Sequence, residues 1–583
     1  MTKSKQMLDN VQKPGRYIGG EVNSVRKSFS LERTSVALSY PDTYEIGMSY
    51  LGLRLLYHLL NEREDIVCER VFAPWLDMED ELKRTGEKLF SLESKTALNK
   101  FDIVGFSLSY ELTYTNVLNM LHLGGITVKS AERGEDEPLV IAGGSCSYNP
   151  EPMAEFIDVF LIGDGEDALP EFVTLFQEAK KKSNDRKGLL LALSGIKGVY
   201  IPSLYEAEYF EGKFKGLMPL SEGVPKTIER AFVSSLEEAY YPVKQIVPYV
   251  KIVHDRMAVE IMRGCPHNCR FCQASTINRP VRIRSVDRVR EICQETYKHT
   301  GYERVTLLSL SSVNYPKLGE LVKGLVDDFS EDGVGISIPS LKIDEAFYDL
   351  PEMIAAVRKT GLTFAPESPS DELRKALGKN IDLSVLCKSA TLAYQHGWRK
   401  LKLYFMTGFP GEGKDEADKI IELARELSQL KKTVSNGAAE VKLSVNPFVP
   451  KPHTPLQWLG MKPKEDLHAI RVNLTSRATK KIKVDFGDIR QSILEACLSR
   501  GDRRISNVIY SAWKKGAKMD SWGDSLDFQV WESAFLENGI DPGDYAERNY
   551  GIDDVLPWEH ISAGVSKEVF KKEFTASGFS SKQ

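Results

Sequence analysis

The sequence predicts an α/β protein: a parallel, doubly wound sheet, then a partial β/α barrel, then a mainly helical C-terminal region. Three observations carry this. Residues 33–181 hold five short, β-prone apolar runs, each followed by a stretch of helical periodicity. The same rhythm returns six times from Ala258 onward. The first run of that second series leads directly into Glu260-Ile-Met-Arg-Gly-Cys265-Pro-His-Asn-Cys269-Arg-Phe-Cys272, which holds three of only 8 cysteines.

Length and composition bound the rest. A chain of 583 residues holds several domains, and a net charge of -5 makes the whole molecule a poor polyanion binder by bulk charge. Met1-Thr-Lys-Ser-Lys-Gln leads into no apolar signal segment, and no run approaches a membrane span. Cysteines outside the central loop are few and mostly isolated, which argues against a disulfide scaffold. A cytoplasmic protein without membrane contact is expected. The boundaries read as an N-terminal extension (1–32), the first sheet (33–181), a β-rich connector (182–250), the barrel (251–470) and a basic C-terminal region (471–583).

In the first unit the strands are Thr34 to Tyr40, Ile66 to Phe72, Phe101 to Ser107, Pro138 to Ala142 and Asp158 to Ile162, with helices such as Leu51 to Leu60 and Val117 to Leu123 between them. Doubly wound sheets bind ligands beyond the carboxyl ends of their strands. Those ends carry Asp42-Thr-Tyr44-Glu-Ile-Gly47, Ser107-Leu-Ser109, Gly143-Gly144-Ser145 and Gly163-Asp-Gly165-Glu166. On the residues alone these loops also suit a sheet without a cofactor, or part of a substrate site. Lys180 to Arg186 reads as a solvated charge run, and Val199 to Phe210 alternates like a strand.

In the second unit the runs are Ala258 to Met262, Arg304 to Ser309, Val334 to Ile338, Leu362 to Ala365, Lys400 to Phe405 and Val441 to Val445. Val286 to Tyr297 and Asp415 to Leu430 are helical, and Ser368-Pro369-Ser370-Asp371 reads as a helix start capped by Ser368. Barrel sites gather at the carboxyl ends of the strands, where the cysteine loop falls. Gly408-Phe-Pro-Gly-Glu-Gly413-Lys414-Asp415 mimics a phosphate loop but lacks the hydroxyl residue that would ligate magnesium.

Three thiolates at C-x3-C-x2-C spacing suit a soft metal. Zinc would want a fourth ligand, for which His267 is in the loop; a [4Fe–4S] cluster held by three thiolates keeps one iron open. With Phe271 before the last cysteine, the motif resembles the radical S-adenosylmethionine (SAM) superfamily. The resemblance implies a [4Fe–4S] cluster on Cys265, Cys269 and Cys272, SAM on the open iron, and reductive cleavage to a 5′-deoxyadenosyl radical. It also implies SAM contacts at Phe271, Ser309, Ser311, Glu367 and Asn446. The Ser309-Leu-Ser311 segment stands where the family has Gly-Gly-Glu.

The first unit resembles the cobalamin-binding, Rossmann-like domain that precedes many radical SAM barrels, and 30–575 resembles an uncharacterised group of such proteins. This implies cobalamin contacts at Asp42, Tyr44, Gly47, Ser107, Ser109, Gly143, Gly144 and Ser145. Tyr44 stands at the family's histidine position, so cobalamin is expected without a protein histidine on cobalt. A protein reductant such as flavodoxin or ferredoxin is implied as partner. Only Cys68 and Cys146 precede the loop, which disfavours sulfur insertion.

Residues 471–518 hold twelve Lys or Arg against four Asp or Glu, near Tyr510, Trp513 and Trp522. Such a segment suits RNA, or it forms solvated helix faces. The expectation is a radical SAM enzyme, with cobalamin-dependent methylation or another modification of an RNA or a ribosomal or other protein. The alternative is an RNA-associated binding protein with a structural or redox-sensing cluster.

Overall fold

The computed structural model describes residues 7–183, 185–338, 362–413 and 415–580. The first sheet contains β1 (Thr34–Tyr40), β2 (Ile66–Phe72), β3 (Ile103–Ser107), β4 (Leu139–Gly143), β5 (Val159–Leu161) and β6 (Val199–Tyr200). Their order is β2-β1-β3-β4-β5-β6, parallel except for the antiparallel β5–β6 pair. The five expected strands are therefore present, and the connector lends a sixth. Both faces of this sheet are covered, so β1 and β2 are buried along their whole length. The chain reverses its winding between β1 and β3, which opens a crevice beyond their carboxyl ends.

The connector is more than a β unit. It contains helix Arg186–Leu193, capped by Asp185, before the hairpin of Tyr205–Phe210 and Lys213–Pro219. The expected solvated run is anchored: Lys180 pairs with Asp102 at 2.6 Å and Arg186 with Asp158 at 2.7 Å.

The barrel strands are β7 (Met257–Glu260), β8 (Arg304–Leu308), β9 (Gly335–Ser337), β10 (Leu362–Glu367), β11 (Lys400–Thr407), β12 (Glu440–Pro447) and β13 (Ile482–Phe486). Among the described residues they form a parallel sheet of three, β7 to β9, and a parallel sheet of four, β10 to β13. The six expected strands are present, and β13 adds a further strand beside β12 in the same sheet. Alternation decides the faces. Leu401, Leu403 and Phe405 of β11 pack with Ile420, Ala424 and Leu427 of the helix Glu416–Leu430, leaving Lys402, Tyr404 and Met406 on the other side. The helix after β10 spans Asp371–Ala376, and its cap is Ser370, whose Oγ accepts from Leu373 N. Ser368 instead accepts from Ser370 N, because its hydroxyl is drawn to Glu416.

The C-terminal region divides its packing. Helices Ile489–Arg500 and Ile505–Lys514 share a core with the first sheet. Tyr550, Leu556, Trp558, Phe570 and Phe574 instead pack with Phe409, Phe448 and Trp458 at the barrel mouth. Several of its charges are paired within the fold: Arg503 with Glu151, Arg504 with Asp502, Lys515 with Glu537 and Lys518 with Glu79. No helix among the described residues is long and apolar enough to cross a membrane.

Candidate active site at the junction of the two sheets

The cysteine loop leaves a short ladder, Met262–Arg263 paired with Arg282–Ile283, through Gly264. Gly264 has φ +87, and a Cβ there would stand 2.7 Å from the Asn278 carbonyl, so the turn into Cys265 requires glycine. Cys265, Cys269 and Cys272 are in no disulfide and partly exposed, while Cys68, Cys146, Cys293 and Cys497 are buried. Among the described residues no group of three His, Cys, Asp or Glu side chains is poised as a metal cage. The donor set itself is what fits: three accessible thiols on one short loop. His267 is engaged elsewhere, its Nε2 lying 2.7 Å from Asn314 Oδ1.

A second segment is sewn to this loop. Arg270 N donates to the Leu377 carbonyl, and Arg270 Nη1 donates to the carbonyls of Lys375 and Ala376. This brings buried Lys379 beside the thiols, with its Nζ 3.0 Å from Glu367 Oε1. Burial pulls the Lys379 pKa down, but Glu367 and the charges of Cys269 and Cys272 outweigh it and hold the ammonium above its usual range. Glu367 ends β10 at φ +69, a left-handed conformation costing about 1–3 kcal/mol that the surrounding structure must enforce.

Of the other residues expected near SAM, Phe271 packs against the aromatic cluster at the barrel mouth. Ser309 Oγ lies 2.9 Å from Ser312 Oγ, and buried Ser311 donates to Asn314 Oδ1 at 2.7 Å. Asn446 is exposed on the face of β12 away from the helices. The mock phosphate loop is closed by its own carboxylate: Glu412 accepts from Gly408 N, Phe409 N and Thr407 Oγ1, where a phosphate would have to sit. Its Lys414 lies outside the described residues.

Between the two sheets is a cavity of about 520 Å3. Ser107, Gly143, Gly144 and Ser145 line it from the first sheet, Glu260, Arg263 and Gly264 from the barrel, and Ser309 and Leu310 from the end of β8. Its glycines leave flat walls. Gly144, at φ +116, brings its Cα so close that a Cβ would meet the Leu108 carbonyl at 2.5 Å. A wide, mostly apolar slot rimmed by hydroxyls and backbone groups fits a flat macrocycle bearing amides.

Four residues expected there are placed elsewhere. Asp42 is buried, accepting from Trp522 Nε1 at 2.9 Å and Ser521 Oγ at 3.2 Å. Tyr44 donates to Glu21 Oε1 at 2.8 Å, and burial pushes its phenol well up. Gly47 packs on Phe72, and Ser109 Oγ bonds Tyr40 Oη at 2.8 Å. In the place of that first loop, Tyr50, Leu51 and Gly52 face the cavity, and burial pushes the Tyr50 phenol up to about 12.

One residue that the motif reading passed over joins the two halves. Arg263 places Nη1 3.1 Å from Asp164 Oδ1, Nη2 2.5 Å from Glu166 Oε1, and Nε and Nη2 at 3.0 and 2.8 Å from Glu260. Asp164 also pairs with Arg282 at 2.5 Å. The signal was its position, two residues before Cys265 and facing the acidic Gly163-Asp-Gly165-Glu166 loop.

Accessible thiols at this spacing, on the mouth of a β/α barrel, define an iron–sulfur type of barrel enzyme. Residues 259–424 match the model of the radical SAM superfamily, and residues 52–202 match that of radical SAM proteins, N-terminal. The chain belongs to the radical SAM superfamily and is an enzyme of that kind. An uncharacterized protein of Methanocaldococcus jannaschii is 27% identical over 519 residues, covering 86% of this chain and 99% of that one. An uncharacterized methyltransferase of Pyrococcus horikoshii is 24% identical over 393 residues, 65% of this chain and 73% of that one. The fold is similar to that of the radical SAM methyltransferase TsrM from Kitasatospora setae, solved with cobalamin and a [4Fe-4S] cluster. That match has a TM-score of 0.53 at 12% identity and covers 87% of this chain and 100% of that one.

Proposed function

We propose that this enzyme cleaves SAM reductively at a cluster held by Cys265, Cys269 and Cys272, and methylates a carbon of its substrate with a corrinoid held in the interdomain cavity. The observation that carries this reading is adjacency: Arg263 and Gly264 line the cavity, and the next residue is Cys265. When bound, the cluster supplies the electron that splits SAM, and the corrinoid supplies a methyl carrier. The chain's own residues position and exclude. Phe271 and the aromatic residues behind it close one side of the cysteine loop against solvent. Lys379 offers a buried positive charge beside the thiols, suited to a carboxylate or to the charge of a reduced cluster. Tyr44 is turned away from the cavity, so no imidazole or phenol from that position reaches a cobalt there. The likeness to the Pyrococcus methyltransferase, and the fold shared with TsrM, support methyl transfer as the outcome.

The test is anaerobic reconstitution with iron, sulfide and cobalamin, then reduction with SAM present. Wild type is expected to form 5′-deoxyadenosine and to retain corrinoid absorbance after desalting. Cys269→Ala should form no 5′-deoxyadenosine; persistent cleavage in that variant rejects the assignment. A structural-cluster binding protein is less well supported, because seven of the twelve Lys and Arg in the basic stretch that suggested RNA are ion-paired within the fold.

A further inference from the structure

We propose that the open face of the four-stranded barrel sheet is a phosphate-binding wall, so that the substrate of this enzyme carries a phosphate group. The inference rests on the radical SAM reading of the same barrel and adds the substrate's chemical class.

The face in question is the one turned away from the helices. In register across it, Lys402 of β11 stands beside Lys442 of β12, which stands beside Lys483 of β13. Neighbouring strands are about 4.8 Å apart, and like charges placed opposite each other destabilise a sheet. A fourth lysine, Lys400, lies on the same face one row below. The carboxylates that answer them are Asp485, 2.9 Å from Lys442, and Glu440, 3.2 Å from Lys483 and 3.5 Å from Lys400. Lys402 has no carboxylate partner among the described residues; its Nζ donates to Tyr404 Oη at 2.7 Å. Four ammonium groups therefore meet two carboxylates, and the wall keeps a positive excess.

The wall is open. The side chains of Lys442 and Lys483 are 47% and 60% exposed, so their ion pairs are weak and yield readily to a stronger anion. Lysines on three adjacent strands act as point charges that can converge on one multiply charged tetrahedral phosphate, as phosphate-binding lysines do. Above the lysine row, Tyr404 and Ser444 present hydroxyls on the same face. Met406 follows at the strand end, packed on the same aromatic cluster as Phe271 of the cysteine loop, and Asn446 is its register neighbour. Four residues of strand separate Lys402 from Met406, or about 13 Å. The bound phosphate would thus lie about that far from the reacting end, which calls for a nucleotide-sized or longer substrate.

The experiment uses the full-length, anaerobically reconstituted enzyme. A short fluorescein-labelled single-stranded RNA is titrated by fluorescence anisotropy at low and moderate salt, and inorganic pyrophosphate is tried as competitor. Lys402→Gln/Lys442→Gln/Lys483→Gln is expected to weaken binding at least about tenfold and to flatten the salt dependence by roughly two units of log–log slope, three contacts at about 0.7 each. Glu440→Gln/Asp485→Asn should tighten binding, and Lys514→Gln/Lys515→Gln in the tail should leave it unchanged. Displacement by pyrophosphate supports a compact phosphate as ligand; binding that pyrophosphate does not displace supports a polymeric one. Failure of the wild type to bind either probe, or equal binding by wild type and the triple variant, overturns the proposal. SAM cleavage in the same preparation separates the two ideas, since cleavage without phosphate binding sinks only this one.

Discussion

Arg263 offers the sharpest test of the coupling between the two halves. Arg263→Met keeps a side chain of similar length while removing a guanidinium that touches Asp164, Glu166 and Glu260. Asp164 keeps Arg282, but Glu166 and Glu260 lose the contacts that tie them together, with side chains only 9% and 19% exposed. Removing one partner of a buried ionic network costs about 3–5 kcal/mol. The remaining exposure argues for the low end, about 3 kcal/mol, or roughly a hundredfold at 25 °C. If the network holds the cavity wall and the cysteine loop in register, corrinoid affinity measured by absorbance titration should fall by about that factor. Amide exchange should rise at 163–166 and 260–265 together. Arg263→Lys should recover only part of the loss, because an ammonium cannot reproduce the fork. Wild-type affinity in the Met variant, or faster exchange confined to one of the two segments, would refute the reasoning.

Two further outcomes follow from buried groups. Gly144→Ala demands a Cβ 2.5 Å from the Leu108 carbonyl at φ +116, so it should cost about 2 kcal/mol or more and abolish corrinoid retention; equal retention would show that this turn does not shape the cavity. Burial raises the Asp520 pKa from 3.8 to about 6. The folded state therefore holds that proton more tightly than the unfolded chain, and stability should decline as pH rises from about 4 to 6, by roughly 3 kcal/mol in all. Asp520→Asn should remove that decline, unfolding at a higher denaturant concentration than wild type at pH 8 and at a similar one near pH 4; parallel curves at both pH values would contradict it.

Much of the fold was legible because a strand with one covered face writes its burial at period two. Lys400 to Thr407 alternates lysine, leucine, lysine, leucine, and the structure buries every second residue. Ile482 to Phe486 alternates in the same way, yet its one lysine, Lys483, falls in a run dense with positive charge, and composition masked the period there. The cysteine loop was legible because spacing alone restricts what three thiols can serve. The first loop of the N-terminal sheet was not. Whether Asp42 faces a cavity is decided by Trp522, a residue 480 positions away, and no local pattern announces that contact. Lys379 is of the same kind, since it reaches the thiols only because Gly378, at φ +67, lets the backbone pass the Asn268 carbonyl.

These failures share a cause that bears on function. Each residue the motif left out is placed by a contact between parts of the chain far apart in sequence: Arg263 with Asp164 and Glu166, Lys379 with Glu367 and the thiols, Trp522 with Asp42. A motif encodes what one segment must do by itself, which here is to present three thiols. Coordination of two cofactor positions cannot be written in one segment, so it is written in the charges that join segments. Arg263 sits where the two requirements meet, on the cavity wall and two residues from Cys265. A shift of the Asp164–Glu166 loop that preserves its ion pairs must move the first thiol as well, and the two halves of the site are thereby mechanically one.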